Sequence, residues 1–172
     1  MKIPIVDEND NIISYKEREE TTREDIRRIV SLNVFNEKGE VLIAKRHKDK
    51  KIDPDVWGPS VAGTVDEGYD YDSTVIKEAE EEIGLTNISP IFLNRFFYEN
   101  KNARRWCSRY YVVINSKETE LKKQDEKVSE LKWITLPDLE KFSNDHPEEF
   151  ILSFAQSLKN IKDIYELIKN KV

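Results

Sequence analysis

The sequence has few of the residues that stabilise secreted proteins or cross membranes. Its 172 residues include one cysteine, Cys107, so no disulfide can form within the chain. No apolar run approaches the length needed to span a bilayer, and the first residues, MKIPIVDENDNI, lack the apolar stretch of a secretion signal. We therefore expect a cytoplasmic protein that does not bind membranes.

The sequence also has fewer basic than acidic residues. Lys and Arg number 28 against 34 Asp and Glu, which gives a formal net charge of −6. Such a surface repels the nucleic-acid backbone unless basic residues gather on one face. The basic clusters, within residues 45–51 and at residues 104–105, are too short to indicate duplex binding. They favour a small anionic ligand.

The residues that are present suit one folded domain, with 38% hydrophobic and 36% charged residues. We expect residues 1–172 to form this domain, with a hairpin extension over residues 1–27 and C-terminal helices over residues 137–172. Thr22 and Asp25 predict a brief helix, and residues 47–60 an irregular loop. Apolar periodicity predicts strands at Ile3–Val6, Ile12–Tyr15, Arg28–Phe35, Glu40–Arg46, Val61–Val65, Ile88–Tyr98, Trp106–Ile114 and Leu131–Ile134, with helices at Asp72–Gly84, from Pro137, and at Glu148–Asn170.

The segment GTVDEGYDYDSTVIKEAEEEIGL, from Gly63 to Leu85, carries the main functional signal. At about 100° per residue, Glu78, Glu81 and Glu82 share one helix face beside an apolar stripe. Crowded carboxylates repel one another, and Mg²⁺ or Mn²⁺ removes that repulsion because both prefer oxygen ligands. An acidic stretch alone is usually a solvated face. The flanking glycines and the apolar stripe favour a metal site here.

This segment resembles the Nudix box, G-x5-E-x7-R-E-U-x-E-E-x-G-U, where U is aliphatic. Two positions depart from it: Tyr69 replaces the first glutamate and Lys77 replaces the arginine. In the family those two residues form an ion pair beside the metal helix. We expect Lys77 instead to pair with Glu81 or to lie against the Tyr69 ring. The matching residues are Gly63, Glu78, Ala79, Glu81, Glu82, Gly84 and Leu85.

The flanking sequence is similar to the Nudix branch that includes isopentenyl-diphosphate isomerase, with the register kept from about Ile5 to Trp133. The resemblance implies an α/β (α+β) fold, a Nudix α/β/α sandwich with a mixed sheet. It also implies Mg²⁺- or Mn²⁺-dependent hydrolysis of a pyrophosphate linkage in a nucleoside diphosphate derivative or a similar small phosphorylated metabolite. A homodimer is compatible with it.

The resemblance further implies roles for single residues. Glu78, Glu81 and Glu82 would hold the metal, with Glu81 also acting in catalysis. Glu126, in the loop from Lys123 to Ser129, is the candidate general base, and the alternative is an ordinary exposed loop glutamate.

Four more residues are predicted to bind substrate. Lys45 and Arg46 would hold phosphates, and their alternative is a solvated strand end. Trp57 would stack on a base or cover the pocket, and its alternative is a buried loop anchor. Gly63 would let the backbone approach the metal.

Two other functions remain to be weighed. The isomerase needs a nucleophilic cysteine near the strand before the box, where this chain has Ala62, and Cys107 belongs to another strand. Isomerisation is therefore disfavoured. The second alternative is a Nudix-fold protein that binds nucleotides with weak or no catalysis, which the changes at Tyr69 and Lys77 keep open.

Overall fold

The computed structural model describes residues 1–172, which form a nine-stranded mixed sheet with helices on both faces. Short 3₁₀ helices occupy Arg18–Glu20 and Pro147–Glu149. The strands are β1 (Lys2–Val6), β2 (Ile12–Glu17), β3 (Ile26–Asn36), β4 (Val41–Arg46), β5 (Trp57–Gly58), β6 (Val61–Thr64), β7 (Ile91–Glu99), β8 (Arg104–Ile114) and β9 (Val128–Ile134), and the helices are α1 (Tyr71–Ile83), α2 (Leu136–Asp145) and α3 (Phe154–Ile168).

Strand β3 organises the sheet. One of its edges pairs in parallel with β8 along its whole length, and β7 continues the sheet beyond β8. The other edge pairs in turn with β1, β6 and β4, all antiparallel. Strands β5 and β9 then flank β4. The sheet therefore divides between β6 and β4, where buried Ser60 accepts a hydrogen bond from Val34 N at 2.9 Å and donates one to Leu42 O at 2.6 Å.

Apolar residues on the two faces of the sheet form two cores. Alternate residues of β3, β6 and β8 pack against Val75, Ala79 and Ile83 of α1. The other core lies beneath α2 and α3, where Ile161 and Ile164 are fully buried. Helix α1 lies across β6 and β3, which are the two strands that it contacts most.

The ends of α1 follow from its sequence. Asp70 accepts a hydrogen bond from Ser73 N at 2.8 Å, while Ser73 Oγ accepts one from Asp70 N at 3.0 Å. This reciprocal cap satisfies two amide groups that the first turn cannot pair internally. Gly84 ends the helix in the left-handed conformation, with φ of 67°. The prediction of a helix over Asp72–Gly84 is confirmed.

Two helix predictions need correction. The Thr22–Asp25 segment is a turn, because the Asp25 carboxylate accepts hydrogen bonds from the backbone and hydroxyl of Thr22 itself. The terminal helix begins at Phe154 instead of Glu148, because Phe150 is held in extended form by a bridge to Trp57. The predicted loop over residues 47–60 contains the short strand β5, which pairs with β4. None of the helices has the length and apolar content to cross a bilayer.

Candidate active site

Glycine 63 allows the acidic helix to approach strand β6 closely. A Cβ atom added to Gly63 would lie 2.4 Å from Cγ and Cδ of Glu78, closer than any real side-chain contact. Glu78 is only 5% exposed as a result. The glycine at the start of the motif therefore holds a carboxylate against the backbone of the sheet.

Glu82 lies one turn further along the same helix face. Its carboxylate accepts a hydrogen bond from Ala62 N at 3.3 Å. Burial, together with the negative charge of Glu78, raises the pKa of Glu82 from 4.5 to about 7. Keeping this carboxylate ionised near neutral pH therefore costs free energy, and a nearby cation would remove the cost.

Glu81 is the most exposed of the three glutamates, with 42% of its side chain accessible. Lys127 Nζ lies 3.0 Å from a Glu81 oxygen and 3.3 Å from a Glu78 oxygen. Burial opposes the charge of Lys127, but hydrogen bonding and attraction to these carboxylates outweigh it and raise the lysine pKa. The ammonium group thus supplies positive charge between the two glutamates.

Lys77 forms a second set of contacts beside the same carboxylates. Its Nζ lies 3.6 Å from Glu81 and 5.3 Å from the centre of the Tyr69 ring, so both expected contacts occur. Its shortest contact is with buried Asp66, at 3.0 Å, and Arg18 reaches the other oxygen of Asp66 at 3.1 Å. Asp66 therefore supplies the negative partner that Tyr69 cannot.

The donor set fits a hard divalent cation. Glu78, Glu81 and Glu82 offer only carboxylate oxygens, and the space between Glu78 and Glu81 already attracts a positive group, the Lys127 ammonium. Three potential ligand atoms lie within 4.8 Å of one another only in the segment between α2 and α3, at the largely exposed group formed by His146, Glu148 and Glu149. The helix carboxylates are spread further apart, toward their lysine partners.

Glu126 lies in the turn before β9 and is exposed, with no hydrogen bond or ion pair from its side chain. Its loop is fixed to the end of α1, because Lys122 N donates to Ile83 O and Gln124 N donates to Glu82 O, both at 2.8 Å. The structure therefore brings Glu126 near the acidic helix but leaves it in solvent. The adjacent Lys127 points to the carboxylates instead.

The predicted substrate-binding residues of β4 brace their own loop. Lys45 Nζ pairs with Asp55 at 3.1 Å. The Arg46 guanidinium donates to the carbonyl of Ile52 at 2.9 Å and to that of Asp53 at 2.9 Å. In this structure both cations stabilise the loop over residues 47–56, so a phosphate would have to compete with these contacts.

Trp57 is outside the acidic site. It is 4% exposed, belongs to the core beneath α2 and α3, and meets the Phe142 ring edge-on with centroids 6.5 Å apart. This is the buried loop anchor that was the alternative to stacking on a base.

Three residues of this site had no separate sequence signal. Lys127, Asp66 and Arg18 carry no helical spacing or motif that would connect them with the glutamates. Lys50 belongs to the basic cluster within residues 45–51, and burial lowers its pKa while the negative charges of Glu82 and Glu78 act in the opposite direction. The one available hint was the position of Lys127 directly after Glu126.

Comparison with known proteins identifies the family. The NUDIX domain family model matches residues 25–154, and the chain therefore belongs to the NUDIX domain family. A protein of Streptomyces coelicolor named as an uncharacterized Nudix hydrolase is 33% identical over 113 residues, which cover 64% of this chain and 62% of that protein. YfcD of Escherichia coli, named in the same way, is 24% identical over 92% of this chain and 89% of its own length.

A protein of Pseudomonas aeruginosa, also named as an uncharacterized Nudix hydrolase, is 30% identical and is covered over 58% of its length. The chain therefore spans about three fifths of the length of the Streptomyces and Pseudomonas relatives. Among solved structures, DR0079 of Deinococcus radiodurans superposes with a TM-score of 0.77 at 20% identity, covering 94% of this chain and 99% of that one. A C. elegans Ap4A hydrolase gives a TM-score of 0.64 at 18% identity, covering 84% and 99%. The predicted family and mixed-sheet fold are confirmed.

Proposed function

We propose that this protein hydrolyses a pyrophosphate linkage in a nucleoside diphosphate derivative or a similar small phosphorylated metabolite, with Mg²⁺ or Mn²⁺ as cofactor. The main support is the close contact between Gly63 and Glu78, which brings the glutamate face of α1 against β6. Family membership and the names of the relatives support the same reaction class.

The three glutamates have distinct environments that suit one shared cation. Glu78 is buried, Glu82 is hydrogen-bonded to the backbone with a raised pKa, and Glu81 reaches solvent. A bound divalent ion would polarise the phosphate and lower the pKa of an attacking water. We assign Glu78, Glu81 and Glu82 to holding that ion, with Glu81 closest to the water because it is the most exposed.

The basic residues around the helix suit an anionic substrate. Lys127 contacts Glu78 and Glu81 in the free protein, and a metal ion there would release its ammonium group to bind a substrate phosphate. The negative charges of Glu82 and Glu78 act on the pKa of Lys50 against the effect of its burial, and we assign Lys50 the same role. Lys45 and Arg46 remain candidates for phosphate contact, after breaking their loop contacts.

Glu126 is proposed as the general base. Its carboxylate is exposed and unpaired, its loop is attached to the end of α1, and Lys127 beside it reaches the acidic face. A base must reach the proton that it removes directly or through one water, and a free carboxylate at the edge of the site can do so.

Catalytically weak or inactive nucleotide binding is the second candidate. Tyr69 and Lys77 favour it, because the ion pair that braces the helix in the family is replaced by contacts of Lys77 with Asp66 and Glu81. The intact set of three glutamates favours catalysis. The setting that we propose is the cytoplasm, where a lone buried thiol such as Cys107 stays reduced.

A substrate panel tests the proposal. Nucleoside diphosphates, dinucleotides and nucleotide sugars are incubated with the protein and Mg²⁺ or Mn²⁺, and products are separated by anion-exchange chromatography. We expect metal-dependent cleavage of at least one class. Glu82→Gln should lower turnover by at least about a hundredfold, since even residues that only support metal ligands cost ten to a hundredfold.

Glu80→Gln is the matched control, because Glu80 is on the same helix but exposed and without a charged partner. It should leave turnover unchanged. Binding of panel members without cleavage at any metal concentration would support the binding protein and reject hydrolysis. Equal turnover by Glu82→Gln and the wild type would remove Glu82 from the site.

A further inference from the structure

A cavity of about 300 Å³ lies beside the glutamates of α1. Its wall includes Glu78, Glu81 and Lys127, which belong to the proposed metal and phosphate site. The wall also includes Arg18, from the 3₁₀ helix that follows β2. Residues 1–24 precede the part of the chain that the family model matches, and we call them the N-terminal segment. One cavity therefore joins this segment to the acidic helix.

A continuous series of contacts connects Arg18 with the glutamates. Arg18 Nη2 lies 3.1 Å from one oxygen of Asp66, and Lys77 Nζ lies 3.0 Å from the other. The same Lys77 Nζ lies 3.8 Å from Glu78 and 3.6 Å from Glu81. All of these groups line the same cavity, so no part of the sheet separates them. A group bound in the cavity has direct access to both the arginine and the glutamates.

The guanidinium group of Arg18 retains donors for a ligand. Only Nη2 has an acceptor in the protein, the Asp66 carboxylate, so Nε and Nη1 are unpaired. The Arg18 side chain is 44% exposed, whereas that of Asp66 is 6% exposed. Asp66 thus holds the arginine from the buried side and leaves its other N–H groups accessible. An arginine anchored in this way is preorganised to bind a phosphate with its remaining donors.

The backbone around Arg18 is tied to the rest of the domain. Arg18 N donates to Met1 O at 3.1 Å, and the Thr21 hydroxyl donates to Arg18 O at 2.8 Å. Strand β1 pairs with β3, and Glu67 N, in the loop that leads to α1, donates to Lys2 O at 2.9 Å. These bonds hold the 3₁₀ helix against the loop that carries Asp66.

The turn between β1 and β2 attaches the other end of the hairpin to the start of α1. The Asp10 carboxylate accepts hydrogen bonds from Arg28 Nε at 2.7 Å and from the Tyr71 hydroxyl at 3.0 Å. Tyr71 is the first residue of α1, and Arg28 belongs to β3. The N-terminal segment is therefore attached at both ends of its hairpin, which fixes the position of Arg18 relative to α1.

The charges around the cavity distinguish Arg18 from the two lysines. Lys77 and Lys127 each lie within ion-pair distance of both Glu78 and Glu81, whereas Arg18 pairs with neither. The wall has four carboxylate and three cationic side chains, a net charge of −1. A divalent ion at the glutamates would change this to +1, so the cavity would then attract a phosphate. Arg18 is the cation whose charge is not directed at the glutamates.

We propose that Arg18 is a substrate-binding residue, whose guanidinium group binds a phosphate oxygen of the pyrophosphate linkage that is cleaved at the acidic helix. This inference rests on the proposed function and adds a residue of the N-terminal segment to its site. Asp66 is the positioning residue for this arginine. The cavity volume is at the lower end of the range for small-molecule sites, which suits the pyrophosphate group with the rest of the substrate outside.

Binding of methylenediphosphonate tests the inference. This probe has a P–C–P bridge in place of the pyrophosphate linkage, so it cannot be hydrolysed. Its dissociation constant is measured by calorimetry with the whole chain in excess Mg²⁺. We expect Arg18→Gln to weaken binding roughly tenfold, because charge-assisted hydrogen bonds to phosphate are among the stronger ones. Arg18→Lys, which keeps the charge but loses the planar fork, should have an intermediate affinity.

The affinity for Mg²⁺ alone separates a binding role from a structural one. Arg18→Gln removes a positive charge from the cavity wall, so it should bind Mg²⁺ at least as tightly as the wild type does. A distortion of α1 would instead weaken the binding of Mg²⁺ and of the probe together. Arg23→Gln is the matched control, because Arg23 is in the same segment, is 37% exposed and pairs with Glu99 at 2.6 Å outside the cavity. It should keep both wild-type affinities.

The outcomes separate this inference from the proposed function. Absent binding of the probe by the wild type, equal binding by Arg18→Gln, or a joint loss of Mg²⁺ and probe affinity would overturn the inference, even if pyrophosphate cleavage is found. A loss of probe affinity alone, confined to the Arg18 variants, would support it, even if no compound of the substrate panel is cleaved and the hydrolase proposal fails.

Discussion

The two faces of the sheet differ in whether their charged side chains have ion-pair partners. On the α1 face, Glu78 and Glu81 share Lys127, and Asp66 pairs with Lys77, so negative charge is balanced within the protein. On the opposite face, Arg105 and Arg109 lie against aromatic rings of β7, and no carboxylate lies within ion-pair distance of Arg27, Arg105 or Arg109. Most charges therefore have partners within the protein on the α1 face, whereas these three guanidinium groups do not.

This contrast has a thermodynamic consequence. Removing one member of a balanced set leaves a partner unpaired and destabilises the protein, whereas removing a cation that has no partner relieves repulsion. Within the acidic face, Glu82 is the exception, because its raised pKa shows that the lysines do not offset its burial fully. Stability measurements on the metal-free protein therefore test this difference between the two faces.

The largest effect is expected from the pH dependence of Glu82. A carboxylate whose pKa rises from 4.5 to about 7 on folding binds protons more readily in the folded state, so stability falls as pH rises through that range. The rise corresponds to about 3 kcal/mol. Glu82→Gln should lack this loss, and its stability relative to the wild type should increase by that amount between pH 4.5 and pH 8.

The measurement is urea denaturation in EDTA at several pH values. Glu80→Gln, at an exposed position of the same helix, should follow the wild-type curve. If Glu82→Gln and the wild type lost the same stability as the pH rises, Glu82 would not be the carboxylate with the raised pKa.

The second effect concerns the contact between β6 and α1. Gly63→Ala places a methyl group 2.4 Å from Glu78, and overpacking of this kind should lower the free energy of unfolding by about 2 kcal/mol. It should also move the Glu78 carboxylate and reduce Mg²⁺ affinity, measured by calorimetry. Gly58→Ala is the control, because its methyl group would meet Ile151 at an ordinary 3.6 Å. A Gly63→Ala protein as stable as Gly58→Ala would refute the close approach.

The third effect concerns Asp66, the buried partner of Lys77 and Arg18. Asp66→Asn keeps the shape but removes the charge, and we expect a loss of about 1.5 kcal/mol, because hydrogen bonds to charged groups are the stronger ones. Glu67→Gln, at the exposed neighbouring position, should change stability little. Restoring the family pair with Tyr69→Glu and Lys77→Arg in the Asp66→Asn background should recover part of the loss. No recovery would show that Asp66 does not serve as the replacement brace.

The smallest effect has the opposite sign. Arg105→Met keeps the aliphatic contact with Tyr98 but removes the repulsion of Arg27, and should stabilise the ligand-free protein by about 0.5 kcal/mol. The gain should shrink at high salt as screening weakens the repulsion. Arg104→Met, which breaks pairs with Glu8 and Glu99, should not stabilise. A loss of stability in Arg105→Met would contradict the difference in charge balance between the two faces.

Most of the fold could be predicted because the local signals agreed with the tertiary environment. The β-branched run of β3, the alternation in β4 and the glycine after Ile83 each determine structure within a few residues, whereas the capping residue of α1, Asp70, lies two residues before the predicted start of the helix. The terminal helix was misplaced at its start because helical spacing of apolar residues continues through Phe150, whereas a long-range bridge to Trp57 keeps that residue extended.

The candidate site was predictable only where one element supplies it. Glu78, Glu81 and Glu82 share a helix, so their common face follows from the period of the helix. Lys127, Asp66 and Arg18 come from three separate segments, and their meeting depends on how β2, β6 and β9 are placed by the sheet. The same applies to the grouping of Arg27, Arg105 and Arg109, which exists because β3 and β8 pair in parallel in one particular register.

That parallel pairing has a consequence for how the protein folds. Ile26 lies beside Arg104, so the longest ladder of the sheet joins segments separated by nearly half of the chain. Contacts of such long sequence separation require the closure of a large loop and slow the rate-limiting step. The glutamates of α1 pack against β6, which is placed by its own pairing with β3. We therefore expect refolding kinetics to show α1 becoming helical before the protein regains any affinity for a divalent ion.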